Sequence, residues 1–113
     1  MKFLLFVAAL YTLNPVTISI YPPASMAPAT VRITVLVPRH LDNREVCYGF
    51  SGPEDKKSCL TLDGWQARRT WTVYWPIRTA GEYLAEATLT RVTEGKTQTY
   101  RQQAAFRVIG FEP

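Results

Sequence analysis

Apolar and polar residues alternate at every second position along most of the chain. The clearest run is TVRITVLV, residues 30–37, whose valines and isoleucine fall on one face. The same alternation recurs in VTISIY, REVCYGF, SCLTL, TWTVYWP, GEYLAEATLT and TYRQQAAFRVI. Period two is typical of half-buried β-strands, and no segment after the N-terminus shows sustained 3.6-residue periodicity. The pattern therefore predicts about seven strands and no helix in the folded domain.

Turn-forming residues separate these runs, for example at Pro22-Pro23, Asp63-Gly64, Ala80-Gly81 and Glu94-Gly95. Glycine, proline and aspartate favour such turns because of their backbone preferences. A chain of 113 residues suits one small domain. Short antiparallel strands in one domain bury their apolar faces by packing two sheets together. We therefore predict an all-β, seven-stranded antiparallel two-sheet sandwich over residues 16–113.

The N-terminal segment MKFLLFVAALYTL is an uncharged apolar run behind a single lysine. This arrangement is typical of a secretory signal peptide, so we expect residues 1–15 to be a signal segment. Cleavage is expected between residues 13 and 29. The APA motif at 27–29 has suitable small residues, but a cut there would discard the strand-like VTISIY. A cut near 13–17 is favoured, and the protein is expected to be periplasmic, secreted or on the cell surface.

Cys47 and Cys59 are the only cysteines of the chain and lie on either side of a Gly-Pro turn. Their apolar strand neighbours are expected to face the core, so both thiols point outward. An oxidising compartment permits a disulfide, and a cross-strand bridge fits this orientation. Zinc needs more ligands than these residues supply, and the C-x-x-C spacing of redox pairs is absent. We predict a structural disulfide, with free thiols as the alternative.

No motif in the chain predicts catalysis. His40 lies near Asp42 in a polar inter-strand turn without a second histidine, so we interpret it as solvated or turn-capping rather than as a metal carrier's ligand. The nucleophile elbow, phosphate-binding glycine loop and dinucleotide fingerprint are all absent from the sequence. We therefore expect no enzyme, no catalytic or metal-ligating residue and no cofactor.

The chain has 13 basic and 9 acidic residues, a formal net charge of +4. Because the basic residues mostly alternate with core positions, we expect them to lie on the outer face of a sheet. We therefore expect no nucleic-acid partner. An aromatic and basic patch of Trp65, Arg68, Arg69 and Tyr74 is a candidate binding surface for a protein or glycan. The alternative is that Trp65 covers the sandwich edge. Any membrane contact would be through an uncleaved signal segment.

The segment AGEYLAEATL resembles the sixth strand of immunoglobulin-like and fibronectin type III-like sandwiches. Tyr83 matches the tyrosine that caps a corner of those folds through its hydroxyl group. Ala85 stands where antibody domains have a cysteine, so the inter-sheet disulfide of those domains is absent. The resemblance covers roughly residues 16–110 and is to small Ig-like modules of exported bacterial or phage proteins.

This resemblance implies a non-catalytic binding or structural module of the cell envelope or exterior, acting in protein interaction or adhesion. Its partner would be an envelope or extracellular protein or glycan, which the sequence does not identify. The alternative is a small secreted Ig-like protease inhibitor of the chagasin type, since NPVT at 14–17 is similar to the first binding loop of those inhibitors. Fold alone does not determine function in either case.

Overall fold

The computed structural model describes residues 15–63 and 70–110. Every regular element in these residues is a β-strand, and none of them forms a helix able to cross a membrane. The strands, in chain order, are β1 (Thr17–Tyr21), β2 (Ala24–Met26), β3 (Ala29–Leu36), β4 (Asn43–Ser51), β5 (Lys56–Thr61), β6 (Thr70–Ile77), β7 (Gly81–Thr93) and β8 (Lys96–Ile109).

The strands form two sheets, one of three strands in the order β1-β3-β6 and one of five in the order β2-β8-β7-β4-β5. The all-β, two-sheet prediction is confirmed. The described residues nevertheless contain eight strands, not seven, and β2 pairs with β8 in parallel. The additional strand, Ala24–Met26, has only three residues between proline-containing turns. A segment this short cannot display an alternating pattern.

The inner faces of the two sheets meet in a single core. Val31, Ile33 and Val35 of β3 are fully buried. From the other sheet, Phe50 packs edge-on against the ring of Trp75 of β6, with 5.4 Å between ring centroids. Each fully buried aliphatic or aromatic side chain contributes about 1.5–3 kcal/mol. Burial of this one face therefore fixes which residues of each strand point outward.

β7 and β8 form the long hairpin that the Glu94-Gly95 pair predicts. Thr93 pairs with Lys96 across the turn, and both central residues have positive φ angles, 52° for Glu94 and 80° for Gly95. This left-handed turn matches the twist of the flanking strands. The hairpin holds 13 register pairs, from Gly81 opposite Val108 to the turn, and it supplies half of the outer face described below.

Tyr83 connects the start of β7 to the preceding turn. Its hydroxyl donates a hydrogen bond of 2.6 Å to the carbonyl oxygen of Thr79, as its position in the sequence suggests. The ring is stacked on Phe106 with centroids 5.1 Å apart. Burial raises the pKa of this phenol, and the nearby carboxylate of Glu54 raises it further. The hydroxyl therefore stays protonated and keeps donating.

Glu54 lies in the loop between β4 and β5 and holds that loop to the same turn. One oxygen of its carboxylate accepts hydrogen bonds from the backbone N–H groups of Arg78, at 2.8 Å, and Thr79, at 2.6 Å. These bonds, that from Thr79 first, lower the pKa of Glu54 below its ordinary value. The β4–β5 hairpin is thus anchored at its tip as well as along its strands.

Replacing Tyr83 by Phe should lower the free energy of unfolding by about 0.5–1.5 kcal/mol, because the ring packing stays and the hydrogen bond from the Tyr83 hydroxyl to the Thr79 carbonyl is lost. Urea denaturation measures this change. Tyr74→Phe is the matched control, since Tyr74 is 63% exposed, and should change stability by less than about 0.5 kcal/mol. Equal effects of the two variants would contradict a corner held by the Tyr83 hydroxyl.

The Glu54 bonds predict a stability loss in acid. Because the folded-state pKa lies below the ordinary value of 4.5, the stabilisation is present above pH 4.5 and is lost as the pH falls through the folded pKa. Glu54→Gln should remove this part of the pH dependence, so the stability curves of the two proteins should converge as the pH falls through the folded-state pKa of Glu54. Denaturant titrations at several pH values test this. The exposed Glu82→Gln variant is the control, and curves that run parallel for Glu54→Gln would contradict the prediction.

Candidate functional site

A disulfide joins Cys47 and Cys59 on the outer face of the five-stranded sheet. The two cysteines are register partners in β4 and β5, with Cα atoms 4.0 Å apart. Cys59 is exposed and Cys47 half-buried, whereas Val46 and Tyr48 beside Cys47 are buried in the core. The bridge therefore has the outward orientation that strand phase predicts. Because β5 is the last strand of the sheet, the bridge lies at its edge.

Rows of register partners cross this outer face from β5 to β8. The row through the disulfide consists of Cys59, Cys47, Thr88 and Arg101. The next row, toward the β4–β5 loop, consists of Lys57, Gly49, Glu86 and Gln103. The row on the other side of the disulfide contains Thr61, Glu45, Thr90 and Thr99. The sulfur atoms thus have polar neighbours on both sides.

A depression of about 570 Å³ lies on this face beside the disulfide. Gly49 is one of its lining residues, and a side chain at this position would collide with the carbonyl oxygen of Lys56. Glycine is required at this point because β5 passes so close to β4. The depression is open to solvent and extends from Cys47 toward Arg101.

Charged side chains line the depression: three basic ones and two acidic ones, which leaves a net charge of +1; they are Lys56, Lys57, Arg101, Asp55 and Glu86. Glu86 is satisfied by the guanidinium of Arg101, 3.1 Å away, and by a 2.9 Å hydrogen bond from the Gln103 amide. Lys56 and Lys57 form no ion pair within residues 15–63 and 70–110. Because Arg101 and Glu86 compensate each other, the net charge of +1 comes from Lys56 and Lys57 against Asp55, and it favours anionic ligands.

Glu45 completes a group of three potential metal ligands with the two cysteines. One carboxylate oxygen of Glu45 and the two sulfur atoms lie within 4.8 Å of one another. It is the one such group of three or more in the described part of the chain. In the present state the sulfurs are bonded to each other, so neither is a thiolate. Thiolates are the form in which cysteine binds metals.

His40 lies away from this face, in the turn before β4. Its Nδ1 accepts a hydrogen bond of 3.0 Å from the backbone N–H of Asp42 and lies 3.8 Å from the Asp42 carboxylate. That carboxylate in turn accepts a 2.7 Å bond from the Thr93 hydroxyl. These contacts give His40 and Asp42 a role in the turn.

The candidate patch of Trp65, Arg68, Arg69 and Tyr74 falls mostly outside the described residues, since 64–69 are not among them. Tyr74 itself lies on β6 and is 63% exposed on the outer face of the three-stranded sheet. It therefore belongs to the sheet opposite the disulfide. The patch stays a prediction.

Sequence reasoning missed the grouping of Glu45, Lys57, Glu86 and Arg101 around the sulfurs. The phase of β4 already puts Glu45 on the face of Cys47, two residues away, and that signal was available. The strand order β5-β4-β7-β8 could not be read from the sequence, because β4 and β7 pair across more than 30 intervening residues. Only that order brings the two hairpins into one surface.

Comparisons with known proteins agree on the fold. No protein-family model matches the sequence, and no curated protein matches it. A solved superoxide reductase (neelaredoxin) from Ignicoccus hospitalis matches with a TM-score of 0.58 and 14% identity, over 88% of this chain and 86% of that chain. Two further structures of this protein have TM-scores of 0.53, at 14% and 15% identity, and cover 84% and 89% of this chain and 80% and 86% of theirs. At such identities the likeness shows a shared fold.

The expected immunoglobulin-like or fibronectin type III-like identity is therefore wrong. The resemblance depended on strand alternation and on Tyr83, and both are local features that do not specify how strands are distributed between sheets. Immunoglobulin constant-type domains divide seven strands into sheets of four and three, whereas the sheets here have three and five.

The expectation of a non-catalytic Ig-like binding module is corrected by the same finding. The solved structures that share the fold are superoxide reductases, which are enzymes. The alternative of an Ig-like protease inhibitor is wrong for the same reason, because that alternative depended on the same fold assignment. The conclusion that the chain is not an enzyme rested on missing motifs, and motifs report only chemistry that has a local sequence signature.

Proposed function

We propose that this chain is a redox protein in which the Cys47–Cys59 pair gains and loses electrons. The observation that supports this most strongly is the position of the bridge, solvent-accessible on an edge strand and outside the core of a fold shared with superoxide reductases. A bond at that position can open and close without changing the packing between the sheets. Lability of a disulfide depends in part on this kind of access.

The side chains of the chain favour cysteine over a metal centre built on imidazoles. Electron transfer needs a group that changes oxidation state, and a cysteine pair does so reversibly. The chain has one histidine, and the Nδ1 of His40 is already an acceptor within its own turn. A site with several imidazole ligands does not fit this chain, so no step is derived through one.

Thiol–disulfide exchange is the reaction that this geometry supports. A substrate thiolate attacks the sulfur of Cys59, the more exposed cysteine; the bond between the two protein sulfurs breaks, and Cys47 leaves as a thiolate that takes up a proton. A second substrate thiolate then attacks the substrate sulfur of the mixed disulfide, which forms the substrate disulfide and releases Cys59 as a thiolate that takes up a proton. The two substrate thiols lose two electrons and two protons, which the cysteine pair gains. The reverse sequence reduces a disulfide substrate.

Lys57 and Lys56 assist this exchange electrostatically. Lys57 lies on the same face as Cys59, two residues before it in β5, and both lysines line the depression beside the sulfurs. The positive charge of the lysines attracts anionic thiols. It also favours the thiolate form of the cysteines, against the opposing charge of the Glu45 carboxylate within 4.8 Å of the sulfur atoms. The two lysines therefore favour a small thiol substrate that carries carboxylates, which reaches Cys59 from the exposed edge of β5.

Native-state reduction tests this function. Treatment with glutathione without denaturant should raise the thiol count from zero to two per chain while tryptophan fluorescence stays unchanged. Lys57→Ala should slow the reaction up to about fivefold, because one nearby charge contributes about 1 kcal/mol or less in water. Lys96→Ala, at the far β7–β8 turn, is the matched control. Thiols that appear only after unfolding would refute the proposal.

We also propose that residues 1–15 are a signal segment and that the folded domain starts at residue 16. The burial of Val16 and Ile18 supports this boundary, since both side chains belong to the core. All five residues of β1 pair with β3, and the Ile18 N–H donates a 2.7 Å bond to Gln102. Cleavage after Ala29 would remove these contacts. Export would also provide the oxidising conditions in which the bridge forms.

Mass spectrometry of the exported protein tests this boundary. We expect a mature chain that begins no later than Val16, because later cleavage removes core side chains. Leu5→Arg should block export by interrupting the apolar run, while Lys96→Arg, which preserves charge in the folded domain, should leave it unchanged. A mature protein that begins after Ala29, or one retained at full length, would contradict the proposal.

A further inference from the structure

We propose that reduction of the Cys47–Cys59 bridge creates a binding site for a borderline-soft divalent cation such as Zn²⁺, with Glu45, Cys47 and Cys59 as its ligands. The three ligand atoms already lie within 4.8 Å of one another at the edge of the sheet. This inference rests on the proposed function in one respect: the bridge must open in the folded protein.

The backbone has the spacing that the site needs. Zn–S bonds of about 2.3 Å at a tetrahedral angle put two sulfur ligands about 3.8 Å apart. The Cα atoms of the two cysteines are 4.0 Å apart in paired strands, and both side chains leave the same face. Once the bond between the sulfurs is broken, rotation about the Cα–Cβ bonds separates them to this distance. No shift of β4 or β5 is required.

Glu45 supplies the third ligand because of its place in β4. It precedes Cys47 by two residues, so its side chain leaves the same face of the strand, and it is exposed. Its carboxylate makes no hydrogen bond or ion pair with another residue of the part of the chain that the structure describes. A free carboxylate beside two thiolates is therefore available, and three protein ligands leave a fourth position for water.

The ligand set determines which cations bind. Two thiolates favour Zn²⁺ and similar metals over Mg²⁺ and Ca²⁺, which prefer oxygen ligands. Binding of one Zn²⁺ to the dithiol releases two protons. The resulting site has two thiolates and one carboxylate against the cation, a charge of −1, and Lys57 lies in the next row of the same face.

Metal and oxidation then compete for the same sulfurs. The cation binds the dithiol alone, so it stabilises the reduced state and protects it from oxidants. By linkage, each tenfold excess of free metal above its dissociation constant raises the reduction potential of the pair by about 30 mV. The site is thus a cation site that the redox state switches on and off.

The experiment uses the exported protein reduced with a phosphine, and its first readout is the thiol count. Zn²⁺ is then titrated against a chromophoric chelator. We expect one Zn²⁺ per reduced chain, none per oxidised chain and no competition from Mg²⁺. Glu45→Gln keeps both cysteines and should weaken binding at least about tenfold, comparable to the loss of a supporting group around a metal. Glu82→Gln, another exposed carboxylate of the same sheet, should bind like the unmodified protein.

The outcomes separate the two proposals. Two thiols in the folded protein without Zn²⁺ uptake would overturn the metal site and leave the redox function standing. Failure to obtain thiols without denaturant would overturn both. Uptake that is equal in Glu45→Gln would refute the assignment of Glu45, and Cys59→Ser should abolish uptake whether or not its stability falls.

Discussion

Successive side chains of a β-strand point to opposite faces of its sheet, and in β4 this constraint determines the orientation of Cys47. Val46, Tyr48 and Phe50 are all buried against the three-stranded sheet, and exposing them to turn the strand over would cost about 1.5–3 kcal/mol for each side chain. The cysteine between them must therefore face outward. The same burial holds Glu45 on that outer face. The chemistry of the site depends on core packing on the reverse side of the sheet.

The sequence predicts this orientation well but predicts the surface around it poorly. Alternation in each strand is local, so the faces of Cys47 and Tyr83 could be read from their neighbours. The arrangement of strands is not local. Arg101 lies in the disulfide row only because β7 pairs with both β4 and β8, and no residue type in these strands encodes that choice. Residues 64–69 lie outside the described structure, so the structure does not test the part of the predicted patch formed by Trp65, Arg68 and Arg69.

The fold assignment from sequence failed for a related physical reason. Any two-sheet β protein needs buried Val, Ile and aromatic residues at every second position, and many sequences satisfy that need. The present chain shares its fold with superoxide reductases at 14–15% identity, which is low enough that side-chain identities carry little information. The hydroxyl of Tyr83 donates a hydrogen bond to the Thr79 carbonyl and so holds the corner before β7. Corners of this kind occur in more than one β fold. Shared solutions of this kind indicate strand geometry rather than ancestry or function.

A bridge that staples a hairpin and a bridge that carries electrons are often treated as alternatives, but here both roles are compatible. Closing a loop of this length contributes about 3 kcal/mol in the chain-entropy model, and reduction would forfeit that contribution. The hairpin has other supports: six register pairs between β4 and β5, the pairing of β4 with β7, and the two bonds to Glu54 at its tip. With these in place the strands stay paired when the sulfurs separate. The reduced sulfurs then remain beside Glu45, in an arrangement that a cation can use without first ordering the chain.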